Sequence, residues 1–188
     1  MRIVGGRFRG RALQAPVTRA IRPTSDRLRE SVFNILAHGY DGMVENARVI
    51  DLFAGTGALG LEAVSRGARF ALFVDDGAQA RALLRENVEA LGLGGLTRIF
   101  RRDATRLGAA PVGEKFDLAF LDPPYGHGFA PRALAALVDG GWLNAGALAI
   151  VEEAAGAEIE LPAGMNLVER RAYGETQFVF ARFGGRDG

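Results

Sequence analysis

Cysteine is absent from the 188-residue chain, which excludes disulfides and thiolate metal sites. Lysine occurs once, as Lys115, so arginine carries nearly all of the positive charge. The start, MRIVGGRFRG, has no apolar core of signal-peptide length, and no apolar run approaches the roughly 20 residues of a membrane span. A cytoplasmic protein without a membrane partner is the resulting expectation. The two histidines, His38 and His127, stand in no cluster with metal-ligand spacing, so no metal is expected. Internal repeats, low-complexity tracts and long linkers are also missing. What remains is an ordinary globular composition, 48% hydrophobic and 24% charged. Its length suits one domain burying roughly 70% of the unfolded surface.

The net charge of +1 conceals an asymmetry. Residues 1–29 hold eight arginines (2, 7, 9, 11, 19, 22, 27 and 29) against the single acid Asp26. The rest of the chain holds 15 basic and 21 acidic residues. A basic arm on an acidic body implies a polyanionic partner.

From Val49 onward, short β-like runs alternate with helical stretches. The strand candidates are Val49–Phe53, Phe70–Asp75, Thr97–Arg101, Leu118–Asp122, Ala147–Glu152, Leu167–Tyr173 and Gln177–Arg182. The first five are separated by enough residues for crossover helices, as parallel pairing requires. Leu84, Val88 and Leu91 share one helical face between two of them. The short Gly174-Glu175-Thr176 suits an antiparallel hairpin between the last two. The pattern predicts a three-layer α/β sandwich whose seven-stranded sheet is mostly parallel, with one reversed strand near its C-terminal end. Residues 1–40 read as an extension to a main domain at 41–188. In the extension, Arg2–Leu13 with Gly5-Gly6 predicts a small hairpin. A helix follows from about Ser25 to His38, with Thr24 as N-cap and Leu28, Val32, Ile35 and Leu36 as its apolar stripe.

The stretch Asp51-Leu-Phe-Ala-Gly55-Thr-Gly57-Ala-Leu-Gly60 follows the first core strand. Its glycines match G-x-G-x-x-G, a tight turn that lets backbone approach a ligand closely. Asp75 closes the next strand, where a carboxylate can accept hydrogen bonds from both hydroxyls of a ribose. Asp103, in Phe-Arg-Arg-Asp-Ala, follows the third strand and can face an adenine amino group. Each acid alone also fits a helix or turn cap. Three acids at the carboxyl ends of successive strands, beside a glycine loop, favour a nucleoside pocket. Asp51 would repel a pyrophosphate but suits a cationic amino group, and no G-K-[ST] follows the glycines, so a P-loop is excluded. S-adenosyl-L-methionine is therefore the better cofactor candidate, with NAD as the alternative.

Asp122-Pro123-Pro124-Tyr125 falls after the fourth strand, on the same edge of the sheet. The prolines fix φ and leave the carbonyls of Asp122 and Pro123 available to a ligand. A carboxylate and a carbonyl can hold both hydrogens of an exocyclic amine and aim its nitrogen at a sulfonium methyl. Tyr125 can stack on the face of the base. Asp122 can take the proton after transfer. His127 lies near this loop and is read as structural.

Taken together, DLFAGTGALGLEA, Asp75, RRDA and LDPPYG resemble the Rossmann-like S-adenosylmethionine methyltransferases that modify exocyclic amines. MRIVGGRFRGRAL, IRPTSDRLRESVFNIL and YGETQFVFAR narrow the resemblance to the RsmD family, the bacterial methyltransferases of guanine N2 in small-subunit (16S) ribosomal RNA. That resemblance covers nearly the whole chain. It implies Asp51, Phe53, Gly55, Thr56 and Gly57 around the methionine part, Asp75 on the ribose, and Asp103 with Ala104 at the adenine. Asp122, Pro123 and Tyr125 would hold the target base. Arg22, Thr24 and Arg27 belong to a segment that crosses the cofactor and target site, Thr24 on the cofactor side. The family often has Glu where Asp75 stands, so the adjacent Asp76 competes for the ribose. Arg2, Arg7, Arg9, Arg11 and Arg19, with Arg22 and Arg27, would contact RNA phosphates beside the base pocket. The implied substrate is small-subunit rRNA, free or in a partly assembled 30S particle, and the implied protein is a monomer. Methylation of adenine N6 in DNA, or of a protein glutamine, is the alternative within the same chemistry.

Overall fold

The computed structural model describes residues 1–16 and 25–185. Arg19, Arg22 and Thr24 lie outside the described residues. Seven strands form one sheet: β1 (Arg48–Leu52), β2 (Phe70–Val74), β3 (Thr97–Phe100), β4 (Phe116–Leu121), β5 (Leu143–Ala154), β6 (Met165–Tyr173) and β7 (Thr176–Phe183). Their order is β3-β2-β1-β4-β5-β7-β6. β1 to β5 pair in parallel, and β7 is antiparallel to both β5 and β6, which makes it the one reversed strand. The helices are α1 (Asp26–Gly39), α2 (Ala58–Ser65), α3 (Ala78–Ala90) and α4 (Phe129–Asp139).

Strand residues alternate between two hydrophobic layers, as a period of two requires. Val49, Phe73, Leu118, Phe120, Ile150 and Phe180 pack with α1, α2 and α3. Ile50, Leu52, Leu72, Leu121, Val151 and Val179 pack with α4 on the other face. Burying such a side chain contributes about 1.5–3 kcal/mol, so a sheet covered on both faces is the stable arrangement. Leu84 and Val88 of α3 and its C-cap Leu91 are buried, as their spacing predicts. Among the described residues no helix is long and apolar enough to cross a membrane.

Several local expectations are corrected. Phe53, Asp75, Arg101 and Asp122 lie one residue beyond their strands. Each chain leaves the ladder there: Phe53 takes φ +58°, and Asp122 is followed by a proline that cannot donate. No helix fills the β3–β4 connection. Ala104 and Leu107 bury themselves in the α4 layer instead, and Trp142 Nε1 donates to the Gly108 carbonyl at 2.8 Å. The N-cap of α1 is Ser25, not Thr24; its hydroxyl accepts from the Leu28 N–H. Arg29, Val32, Phe33 and Leu36 are the buried residues of α1, while Leu28 and Ile35 pack only partly.

The N-terminal arm does fold back on itself, through the bridge Arg2 to Ala12 and backbone bonds from the Ile3 N–H to Arg11 and from the Leu13 N–H to Met1, around a short 3-10 turn at Gly6–Phe8. Contact with α2 explains why Gly5-Gly6 makes no two-residue turn. Ser65 Oγ donates to the Gly5 carbonyl at 2.6 Å and accepts from the Phe8 N–H at 3.0 Å. Gly6 has φ +72°, and a Cβ there would stand 1.9 Å from the Ser65 carbonyl oxygen. Below it, Glu62 is fully buried and accepts from the Val4 N–H (2.9 Å) and from Arg66 (2.7 Å). Arg29, also buried, lies 3.6 Å from Glu62 and bonds Asp26 at 2.8 Å.

Candidate active site

The strand order brings the sequence-predicted groups into one row along the carboxyl edge of the sheet. Asp103 follows β3, Asp75 follows β2, the glycine loop follows β1, and Asp122 follows β4. Adjacent strands lie about 4.8 Å apart, so neighbouring members of this row can touch one ligand. The Asp122 N–H donates to the Leu52 carbonyl at 3.4 Å, which ties the catalytic candidate to the strand that launches the glycine loop.

Asp51 lies one residue inside the edge and is buried. Its Oδ2 accepts from the Gly60 N–H at 2.9 Å. Gly60 permits this approach because a Cβ there would sit 2.4 Å from the Phe73 ring and 3.2 Å from the carboxylate. Burial pushes the Asp51 carboxyl up to about 8; the Gly60 N–H opposes the rise and the Asp75 charge adds to it. Among the described residues no basic side chain pairs with Asp51. A cation delivered by a ligand would satisfy it.

Gly55 and Gly57 take φ +57° and +80°, which the loop needs to turn from β1 into α2. A side chain at Gly57 would meet Leu84 at 2.2 Å. Asp75 holds this loop: Oδ2 accepts from the Gly55 N–H (2.9 Å) and Oδ1 from the Gly77 N–H (2.8 Å). Asp76 is exposed. The Thr56 carbonyl accepts from Asn87 of α3 at 3.0 Å. Asn87 also exchanges two bonds with the backbone of Gln14, so it joins the glycine loop to the arm. Asp103 Oδ1 accepts from the Thr105 N–H and hydroxyl, and these bonds hold its carboxyl below the usual range. Ala104 is buried in the core, which leaves its backbone as the part able to meet a ligand.

Beyond Asp122, Pro123 is buried and Pro124 exposed. The Tyr125 hydroxyl donates to Glu152 Oε1 at 2.7 Å and lies 3.1 Å from Thr176 Oγ1. Burial raises its pKa well above the usual phenol range, aided by the Glu152 bond and the Asp122 charge. Phe53 stacks on Phe129 (6.2 Å between centroids), and His127 stacks on Phe129 in turn (5.5 Å). His127 is exposed at the mouth of the edge.

Sequence reasoning missed Glu152, Thr176, Asn87 and Phe129. Glu152 carried a signal, since an acid closing the buried run Ala147–Val151 is unusual without a partner. Thr176 opens β7, and being antiparallel this strand starts at the carboxyl edge.

The basic arm sits differently from expectation. Its tip, with Arg7 and Arg9, reaches the last residue of α2 and therefore the amino edge of the sheet, about 12 Å of helix away from the glycine loop. Arg7 lines a cleft of about 430 Å³ there, with Ser65, Arg66 and Leu96. Among the described residues of the arm, Gln14 bonds Asn87 and the Met1 sulfur lies 3.6 Å from the Thr56 hydroxyl, both on the cofactor side. Arg2 pairs with Asp26 at 3.7 Å, Arg11 donates to the Ala90 carbonyl, and Arg27 is exposed on α1.

Residues 1–182 match the family model described as Conserved hypothetical protein 95. Ribosomal RNA small subunit methyltransferase D of Escherichia coli strain K12 is 35% identical over 183 residues, which cover 95% of this chain and 87% of that protein. The protein of the same name from Haemophilus influenzae is 30% identical over 180 residues, 95% of this chain and 91% of its own length. Among solved structures, "Putative methyltransferase yhhF from Escherichia coli" superposes with a TM-score of 0.84 at 32% identity, covering 99% of both chains.

Proposed function

The chain belongs to the family matched by Conserved hypothetical protein 95 and ribosomal RNA small subunit methyltransferase D, and from that premise we propose that it methylates the exocyclic N2 amine of a guanine in small-subunit ribosomal RNA. The observation that carries the chemistry is the adjacency of Asp122-Pro123-Pro124-Tyr125 to the glycine loop along one edge of acids.

S-adenosylmethionine fits this edge and would supply an electrophilic methyl group on a sulfonium. Asp51 would receive its ammonium, since a buried carboxyl with no basic partner among the described residues gains from a cation. Gly55, Thr56 and Gly57 would bring backbone close to the methionine part beside Phe53. Asp75, braced by two backbone N–H groups, keeps acceptor capacity on both oxygens for the ribose hydroxyls. Asp103 and the Ala104 backbone would meet the adenine, and Thr24 would close over the cofactor.

The residues of the reacting end then have distinct tasks. The Asp122 carboxylate and the Pro123 carbonyl hold the two hydrogens of the amine, which directs the nitrogen lone pair at the methyl group. Asp122 would accept the proton that the amine sheds on taking up the methyl group. Tyr125 supports the base face. No strong base is needed, because the methylated nitrogen would carry the positive charge and so release its proton readily to a carboxylate.

The substrate in this reading is small-subunit ribosomal RNA, free or in a partly assembled 30S particle. In this reading Arg2, Arg7, Arg9, Arg11, Arg19, Arg22 and Arg27 contact phosphates, residues 1–40 form the RNA-facing extension of a catalytic unit at 41–188, and a monomer works in the cytoplasm. Calorimetry with S-adenosylhomocysteine and with NADH tests the cofactor. Saturable binding of the first is expected, and binding of NADH alone would overturn the reading.

A further inference from the structure

A ring that supports a base must hold its plane, and Pro123-Pro124 fix only the backbone that leads to Tyr125, not its two side-chain torsions. Those torsions are set from strands outside the cofactor half of the sheet. Glu152 near the end of β5 accepts the Tyr125 hydroxyl proton at 2.7 Å, within the range of a charge-assisted bond and about twice as strong as a neutral one. With the phenol proton committed there, the Thr176 hydroxyl at 3.1 Å is left to donate to the phenol oxygen. Both partners are buried, at 5% and 4% exposure, and both stand on paired strands, with Thr176 opposite Ala154 in the β5–β7 ladder. Rigid elements therefore grip the hydroxyl of a Tyr125 side chain that is only partly buried. Thr176 belongs to YGETQFVFAR, a stretch that the methyl-transfer chemistry itself leaves unused.

We propose that Glu152 and Thr176 are positioning residues that lock the Tyr125 ring in the plane on which the target base stacks, so that β5 and β7 act on methyl transfer through Tyr125. The proposal rests on the reading of Tyr125 as the base support. E152A removes the acceptor and should lower kcat roughly ten- to a hundred-fold, the scale of a small misplacement at a reacting centre, with S-adenosylhomocysteine affinity unchanged. E152Q keeps an acceptor oxygen and should recover most of that loss. In a Y125F background E152A should cost clearly less than in the wild type, because the part of its effect that passes through the hydroxyl is already gone. Multiplicative losses, or an E152Q enzyme as impaired as E152A, would overturn the proposal. A wild-type chain that transfers no methyl group would refute the preceding reading instead, and a second measurement separates the two failures. With three tyrosines in the chain, the Tyr125 ring resonances can be assigned by NMR. They should move in E152A and stay in place in E152Q, and resonances unmoved by E152A would overturn the proposal whatever the activity.

Discussion

Replacing Asp51 with asparagine should remove a pH-dependent burden on folding. The carboxyl is pushed up to about 8 by its burial, against about 3.9 in an unfolded chain. Below about pH 4 both states are protonated and the group costs nothing. Between about 4 and 8 the folded state retains a proton that the unfolded state releases, so stability falls as pH rises, by about 1.4 kcal/mol per pH unit. From pH 5 to pH 7 the loss is about 2–3 kcal/mol, a sizeable share of the 5–15 kcal/mol typical of a domain. Asparagine matches the shape and still offers an oxygen to the Gly60 N–H, yet it does not titrate. Urea unfolding of wild type and D51N at pH 5, 6, 7 and 8 measures the effect. The difference between the two should widen with pH in favour of D51N and level off near pH 8. Parallel curves would refute both the unpaired state of Asp51 and its assignment to a ligand ammonium. Saturating S-adenosylhomocysteine should reduce the slope in wild type alone.

The other predictions concern the loop, the reacting end and the arm. G57A forces a side chain onto a backbone at φ +80° and against Leu84, so S-adenosylhomocysteine affinity and melting temperature should both fall, the latter reflecting about 1–3 kcal/mol of strain. D122A should lower kcat by about 10²-fold or more with cofactor affinity nearly intact, since it meets the amine and not the nucleoside; an equal loss of cofactor binding would show the assignment to be wrong. Replacing Arg7, Arg9 and Arg11 together with alanine should weaken RNA binding and flatten its salt dependence, and an unchanged slope would return the arm tip to a solvated surface.

The sheet was legible because its apolar runs, their separations and the glycine loop all point to one topology. The row of acids at 51, 75, 103 and 122 followed from that topology. Contacts made across the sheet were not legible. Nothing near Tyr125 in the chain reveals that residues 27 and 51 positions later hold its hydroxyl. The arm's arginines read as neighbours of the site, but the fit of Gly6 against Ser65 carries Arg7 to the opposite edge. Thr24 and Ser25 are both good caps, and local sequence gives no reason to choose between them. The β3–β4 segment has room for a helix, yet tertiary burial of Ala104 and Leu107 wins over local propensity.

The central claim is tested most directly by incubating the purified protein with labelled S-adenosylmethionine and small ribosomal subunits that lack the modification, then digesting the RNA and identifying the methylated nucleoside. N2-methylguanosine at a single position of the small-subunit RNA is the expected product. Label on adenine or on a ribosomal protein would contradict that claim.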